Sequence, residues 1–143
     1  KMNTENNKII AEFMGAKEII TETTHRIYKE FEMYGIIESI EDREDTKHFY
    51  QPEEMLFNSD WNWLMEVVEK IENLPSRTLQ GNYYLGNEVK IYKAINTNTH
   101  YCEINLVKES GYRIVSIQFN KESKIKSVYD ACIEFIKWYN EQK

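Results

Sequence analysis

The chain has 143 residues and a formal net charge of −6, and 41% of its residues are hydrophobic and 13% aromatic. That length suits one domain of about 100–150 residues, and so apolar a composition excludes a disordered chain. Only five Gly and two Pro exclude collagen-like and low-complexity classes, and no run of about 18 apolar residues offers a membrane span.

The first expected element is a helix from Thr4 to Gly15. Thr4 can cap it, Glu5 complements the positive helix end, and Ile9, Ile10, Phe13 and Met14 share one face. The stretch Met2-Asn3-Thr4-Glu5-Asn6-Asn7 is polar where a secretion signal needs an apolar centre, and Met2 reads as the native start. Residues 26–40 read as extended, followed by an acidic turn and a shorter extended piece near His48–Tyr50. Ile20, Ile27 and Phe31 also allow a helix over 17–33.

A second helix is capped by Asn58 or Ser59, with Asp60 complementing the helix dipole. Trp61, Leu64, Val68 and Ile71 recur at helical spacing, and Pro75 closes the element. Beyond residue 78 the period changes from 3.6 to 2. Val89 and Ile91 alternate with polar residues, as do Cys102, Ile104 and Leu106 with Tyr101, Glu103 and Asn105. Turns at Asn96-Thr97-Asn98-Thr99 and Glu109-Ser110-Gly111 make residues 88–119 a three-stranded meander, and Tyr83-Tyr84-Leu85 a further short strand. Ser123 caps a closing helix whose face carries Ile125, Val128, Tyr129, Cys132, Ile133, Ile136 and Tyr139. The expected fold is α+β. It is one domain over residues 2–143, an antiparallel sheet of about four to five strands packed against helices like an αβα sandwich, with an acidic insertion at about 16–58.

No motif in the chain calls for catalysis. His25, His48 and His100 lack metal-ligand spacing, and His100 with Cys102 makes only two ligands. No phosphate-cradling loop or nucleophile elbow occurs, and the acidic stretch lacks the central Gly and closing Glu of a calcium loop. Cys102 and Cys132 sit in apolar patterns as free buried thiols, which suits a reducing, cytoplasmic setting. No metal, cofactor or catalytic residue is therefore expected.

The charge is unevenly placed. Residues 30–54 hold nine acids against Arg43 and Lys47, a net of −7, whereas residues 88–143 hold nine bases against seven acids, a net of +2. The acidic stretch reads either as a solvated rim or as a surface that docks a basic partner, with Glu38, Glu41, Asp42, Glu44 and Asp45 as candidate contacts. Direct binding of nucleic acid is disfavoured there. Trp61 and Trp63 point about 200° apart on a helix, so they cannot both serve one face. Trp61 lies on the apolar stripe and reads as core, while Trp63 and Trp138 are candidates for a partner or oligomer contact.

Three blocks carry a family resemblance. Asn7-Lys8-Ile9-Ile10-Ala11-Glu12-Phe13-Met14-Gly15 resembles the opening helix of small bacteriophage and Bacteroidetes proteins. The segment from Ser59 to Glu72 resembles their central helix, and that from Val128 to Asn140 their closing helix. The order is similar to the phage ABA sandwich domain, an antiparallel sheet between helical layers. The blocks cover 36 of 143 residues, and the insertion at 16–58 departs from the usual short first loop. The resemblance implies a fold and a mobile-element setting but no catalytic residues.

The expectation is a non-enzymatic phage-type accessory protein that binds another protein. Its concrete form is inhibition of a host nucleic-acid-targeting defence complex, the acidic surface occupying a basic channel. The alternatives are a small-molecule-binding protein or small enzyme with a site between sheet and helices, using His100, Tyr101 or Glu103, and a structural or homo-oligomeric phage component.

Overall fold

The computed structural model describes residues 2–22, 27–33 and 48–142, with side chains over 3–16 and 50–142. The fold is α+β. In chain order it comprises α1 (Met2–Phe13), β1 (Lys17–Glu22), β2 (Ile27–Met33), β3 (His48–Tyr50), a 3-10 turn (Pro52–Glu54) and α2 (Trp61–Glu72). A short hairpin of β4 (Arg77–Leu79) and β5 (Asn82–Tyr84) follows, then β6 (Gly86–Ala94), β7 (Thr99–Lys108), β8 (Gly111–Asn120) and α3 (Lys124–Glu141). All strand pairs are antiparallel, in the orders β1-β2-β3, β4-β5 and β6-β7-β8.

Of the stretch expected to be extended over 26–40, residues 27–33 form β2, and the shorter piece expected near His48–Tyr50 is β3. Residues 34–47, with the acidic turn, lie outside the described residues. Residues 17–22 form a strand, not the helix that spacing also allowed. Ile19, Ile20 and Thr21 are β-branched, which raises strand propensity and stiffens χ1 against a helical turn. Helix α1 begins at Met2, two residues before its expected cap, and ends before Gly15, whose φ of +92° suits a helix stop. The cap of α2 is Asp60, not Asn58 or Ser59. Its carboxylate accepts from the backbone N–H groups of Asn62 at 2.8 Å and Trp63 at 3.4 Å. Ser123 caps α3 as expected, accepting from the Lys126 N–H at 3.1 Å. Gln80 and Gly81 turn the β4–β5 hairpin with φ of +50° and +84°, the twist that a two-residue hairpin requires.

The three-stranded meander is the platform of the fold. Its inner face, with Val89, Ile91, Cys102, Ile104 and Val115, packs under the helices. Helix α3 crosses β7 and β8, and α2 covers β6. The core combines Ile10 and Ala11 from α1, Leu64, Val67 and Ile71 from α2, and Val128, Phe135 and Ile136 from α3. Polar ties hold the layers in place. The Ser116 hydroxyl donates to the Ala131 carbonyl of α3 at 2.9 Å, and Asn87 Nδ2 donates to the Ile71 carbonyl of α2 at 2.9 Å. Among the described residues, no helix lies on the other face of this sheet. No helix among them is long and apolar enough to cross a membrane.

Candidate functional site

The sequence-based candidates are dispersed. Glu38, Glu41, Asp42, Glu44 and Asp45 lie outside the described residues. Trp63 and Trp61 exchange the roles expected of them: Trp63 is 2% exposed and Trp61 38%. Trp61 is the first residue of its helix, whereas Trp63 lies on the buried stripe 63-64-67-68-71. The Trp63 ring receives Tyr50 and Phe57 edge-on, at centroid distances of 5.1 and 4.9 Å. Both rings come from the segment before the helix, so helical periodicity alone could not reveal what would bury Trp63. Its indole is thus unavailable to a partner. Trp138 is half-buried against the core, its ring 5.6 Å from that of Phe135.

The residues proposed for a site between sheet and helices are divided as well. His100 follows the phase of Cys102 toward the helices, and its Nδ1 is buried without a hydrogen-bond partner. Tyr101 and Glu103 are on the opposite, outer face. Cys102 and Cys132 are free and buried, and burial pushes the Cys102 thiol up to about 12 and raises Cys132 well above its ordinary value. Such thiols stay protonated, which removes them as nucleophiles. Among the described residues no group of three or more His, Cys, Asp or Glu could hold a metal ion.

What the sheet does assemble is its outer face. Strand register places Tyr92, Tyr101 and Phe119 in one row, Lys90, Glu103 and Ile117 in the next, then Glu88, Asn105 and Ile114. Tyr112 follows opposite Val107. Strict alternation along β8 would put Tyr112 and Ile114 on one face and Ile117 and Phe119 on the other. A bulge opposite Ile104/Asn105 absorbs one residue and rephases the strand. Val115 and Ser116 thereby both turn to the helices, and all four large side chains share the outer face. Tyr112 is 56% exposed, Ile114 46%, Ile117 44% and Phe119 65%. The sequence signal for this face is the spacing 112, 114, 117, 119, two pairs offset by one extra residue.

Aromatic rings span the face from edge to edge. Tyr92 stacks on Tyr101 with centroids 5.3 Å apart, and Tyr101 meets Phe119 at 5.9 Å. Beneath this row lies Glu103, only 6% exposed. Its Oε1 accepts from the Tyr92 phenol at 3.1 Å and its Oε2 from Asn105 Nδ2 at 2.9 Å. Burial raises the Tyr92 phenol, and the hydrogen bond to Glu103 holds its proton further. A concavity of about 460 Å³ opens over the carboxylate, walled by Lys90, Ile91, Tyr92 and Tyr112. A second hollow of about 330 Å³ lies where Glu12, Phe13, Lys70 and Tyr139 meet.

The groups on this face form no catalytic constellation among the described residues: the face offers no nucleophile paired with a base and no convergent set of donors for a developing charge. It has instead the parts of a contact surface: exposed aromatic and aliphatic side chains around a desolvated charge. Comparison with known proteins finds no matching family model, no matching curated protein and no matching solved structure.

Proposed function

We propose that this chain is a non-enzymatic binding protein that docks a basic partner protein on the outer face of the β6–β7–β8 sheet. The observation that carries this is the exposure of Tyr112, Ile114, Ile117 and Phe119 on one face around the buried Glu103. Large apolar side chains gathered on one sheet face cost solubility unless they are covered in use. The charge supports a basic partner twice over: Glu103 lies at the centre of the face, and residues 30–54 carry −7. The acidic segment supplies long-range attraction and faster encounter, and the apolar face supplies the contact. A complex with a basic nucleic-acid channel is the partner class that this charge favours, and occupying the channel would inhibit it.

The test is affinity capture from the cells in which the protein acts, with three baits, each at low and at physiological salt. The wild-type chain should recover a basic protein. The double variant Ile117→Ser, Phe119→Ser should lose it, and reversal of Glu38, Glu41, Asp42, Glu44 and Asp45 should weaken recovery most at low salt. Undiminished recovery with the double variant rules out the sheet face as the docking surface.

A further inference from the structure

The outer face has at its centre a carboxylate that forms no ion pair with a cation of its own sheet. Among the described residues no cation pairs with Glu103. Its register partner Lys90 places its ammonium 5.6 Å from the centroid of the Tyr112 ring instead. A carboxylate offers about four acceptor positions. Tyr92 and Asn105 take one on each oxygen, which leaves one on each. Asn105 adds a second deficit, since it is fully buried and its Oδ1 has no hydrogen-bond partner. A buried charge held only by neutral donors is costly to keep and gains strongly from a cation.

We infer that this face recognises its protein partner through an arginine seated over Glu103 between the Tyr92 and Tyr112 rings. The inference rests on the docking function proposed above and names the chemistry of the contact. A guanidinium is planar and presents two parallel N–H donors, which match one open position on each carboxylate oxygen. Its flat faces also stack on tyrosine, and the two tyrosines wall the concavity over Glu103. An ammonium fits less well, because it is a compact, strongly hydrated charge without a fork. Ile114, Ile117 and Phe119 extend the surface to one side, so the arginine should be followed or preceded by apolar residues. Among the described residues the matching face of a second copy carries Lys90 but no arginine, Arg113 being opposite Leu106 in the inward phase, so two copies paired face to face lack the required group.

The probe is a library of capped hexapeptides with arginine at one fixed position among apolar residues, and a twin library with citrulline, its neutral isostere. Both are presented to the full-length chain, and retained peptides are titrated singly by fluorescence anisotropy. The best arginine peptide should bind about 30-fold or more tighter than its citrulline twin. Glu103→Gln should abolish that preference, and Tyr112→Leu, which leaves the carboxylate untouched, should reduce it. Ile117→Ser should weaken both twins alike.

Equal affinity of the twins, a preference that survives Glu103→Gln, or no retained arginine peptide would each overturn the inference. A lysine peptide binding as tightly as the arginine one overturns it too. So does a concentration-dependent dimer in sedimentation that Phe119→Ser dissolves, which assigns the face to a second copy. The two levels of the proposal fail separately. Loss of the Glu103 effect with the Ile117→Ser effect intact leaves apolar docking standing, whereas insensitivity to Ile117→Ser removes the docking face itself.

Discussion

The phenol of Tyr129 donates a 3.0 Å hydrogen bond to Oδ1 of Asn7, 122 residues earlier in the chain. Both side chains are 2% exposed. Asn7 Nδ2 donates in turn to the carbonyls of Pro52 at 3.0 Å and Met55 at 3.2 Å. One buried amide thus joins α1, α3 and the turn that leads into α2. Tyr129→Phe leaves Asn7 Oδ1 without this donor and should cost about 1–3 kcal/mol of stability. Asn7→Ala orphans more groups and should cost more. In a double-mutant cycle read by urea unfolding, Tyr129→Phe should cost clearly less once Asn7 is already alanine.

The protein should lose stability in alkali. Burial raises the Tyr129 phenol to about 12, with Asp130 adding to the effect, and raises the Cys102 thiol to about 12. In the unfolded chain these groups release protons near their ordinary values of 10.0 and 9.0. As pH rises through that window, the unfolded chain binds fewer protons than the native one, so rising pH favours unfolding. The contribution is whole below about pH 9 and is lost progressively toward pH 12. Urea midpoints measured against pH should fall in this range, and Tyr129→Phe should remove the part that begins near 10.0.

The two neighbouring tryptophans should respond in opposite ways. Trp63→Ala opens a cavity between Tyr50 and Phe57 and should cost about 3–5 kcal/mol. Trp61→Ala, at the exposed start of the same helix, should stay within about 0.5 kcal/mol of the wild type. Denaturant midpoints check both values, and acrylamide should quench Trp61 far more readily than Trp63.

The two faces of the meander should separate in the same way. Ile104→Ala, on the inner face and fully buried, should cost about 2–5 kcal/mol. Ile117→Ser and Phe119→Ser, on the outer face, should each cost under about 1 kcal/mol, since they give up mainly cross-strand contacts. A near-native midpoint for the outer variants would show that these residues are not needed for folding, which leaves their exposure to be explained by docking.

Much of the architecture was legible from local pattern. The closing helix, its Ser123 cap and the three meander strands follow from period and turn chemistry, because each is determined within about ten consecutive residues. The role of Trp63 was not legible, since Tyr50 and Phe57 bury it from outside the helix. The outer face was half legible: Tyr101, Glu103 and Asn105 alternate correctly, but the bulge that brings Ile117 and Phe119 beside Tyr112 and Ile114 breaks the simple period.

By itself, the sequence determined an acidic α+β chain with an amphipathic closing helix, a meander, and its negative charge gathered in residues 30–54. Those properties depend on composition and on neighbours in the chain. Only the tertiary structure decided that Glu103 is a desolvated carboxylate within an exposed apolar face. That outcome depends on three strands meeting in one register, and on where a single extra residue is absorbed. Side-chain period is a local property, whereas burial is set by whatever the rest of the chain lays on top.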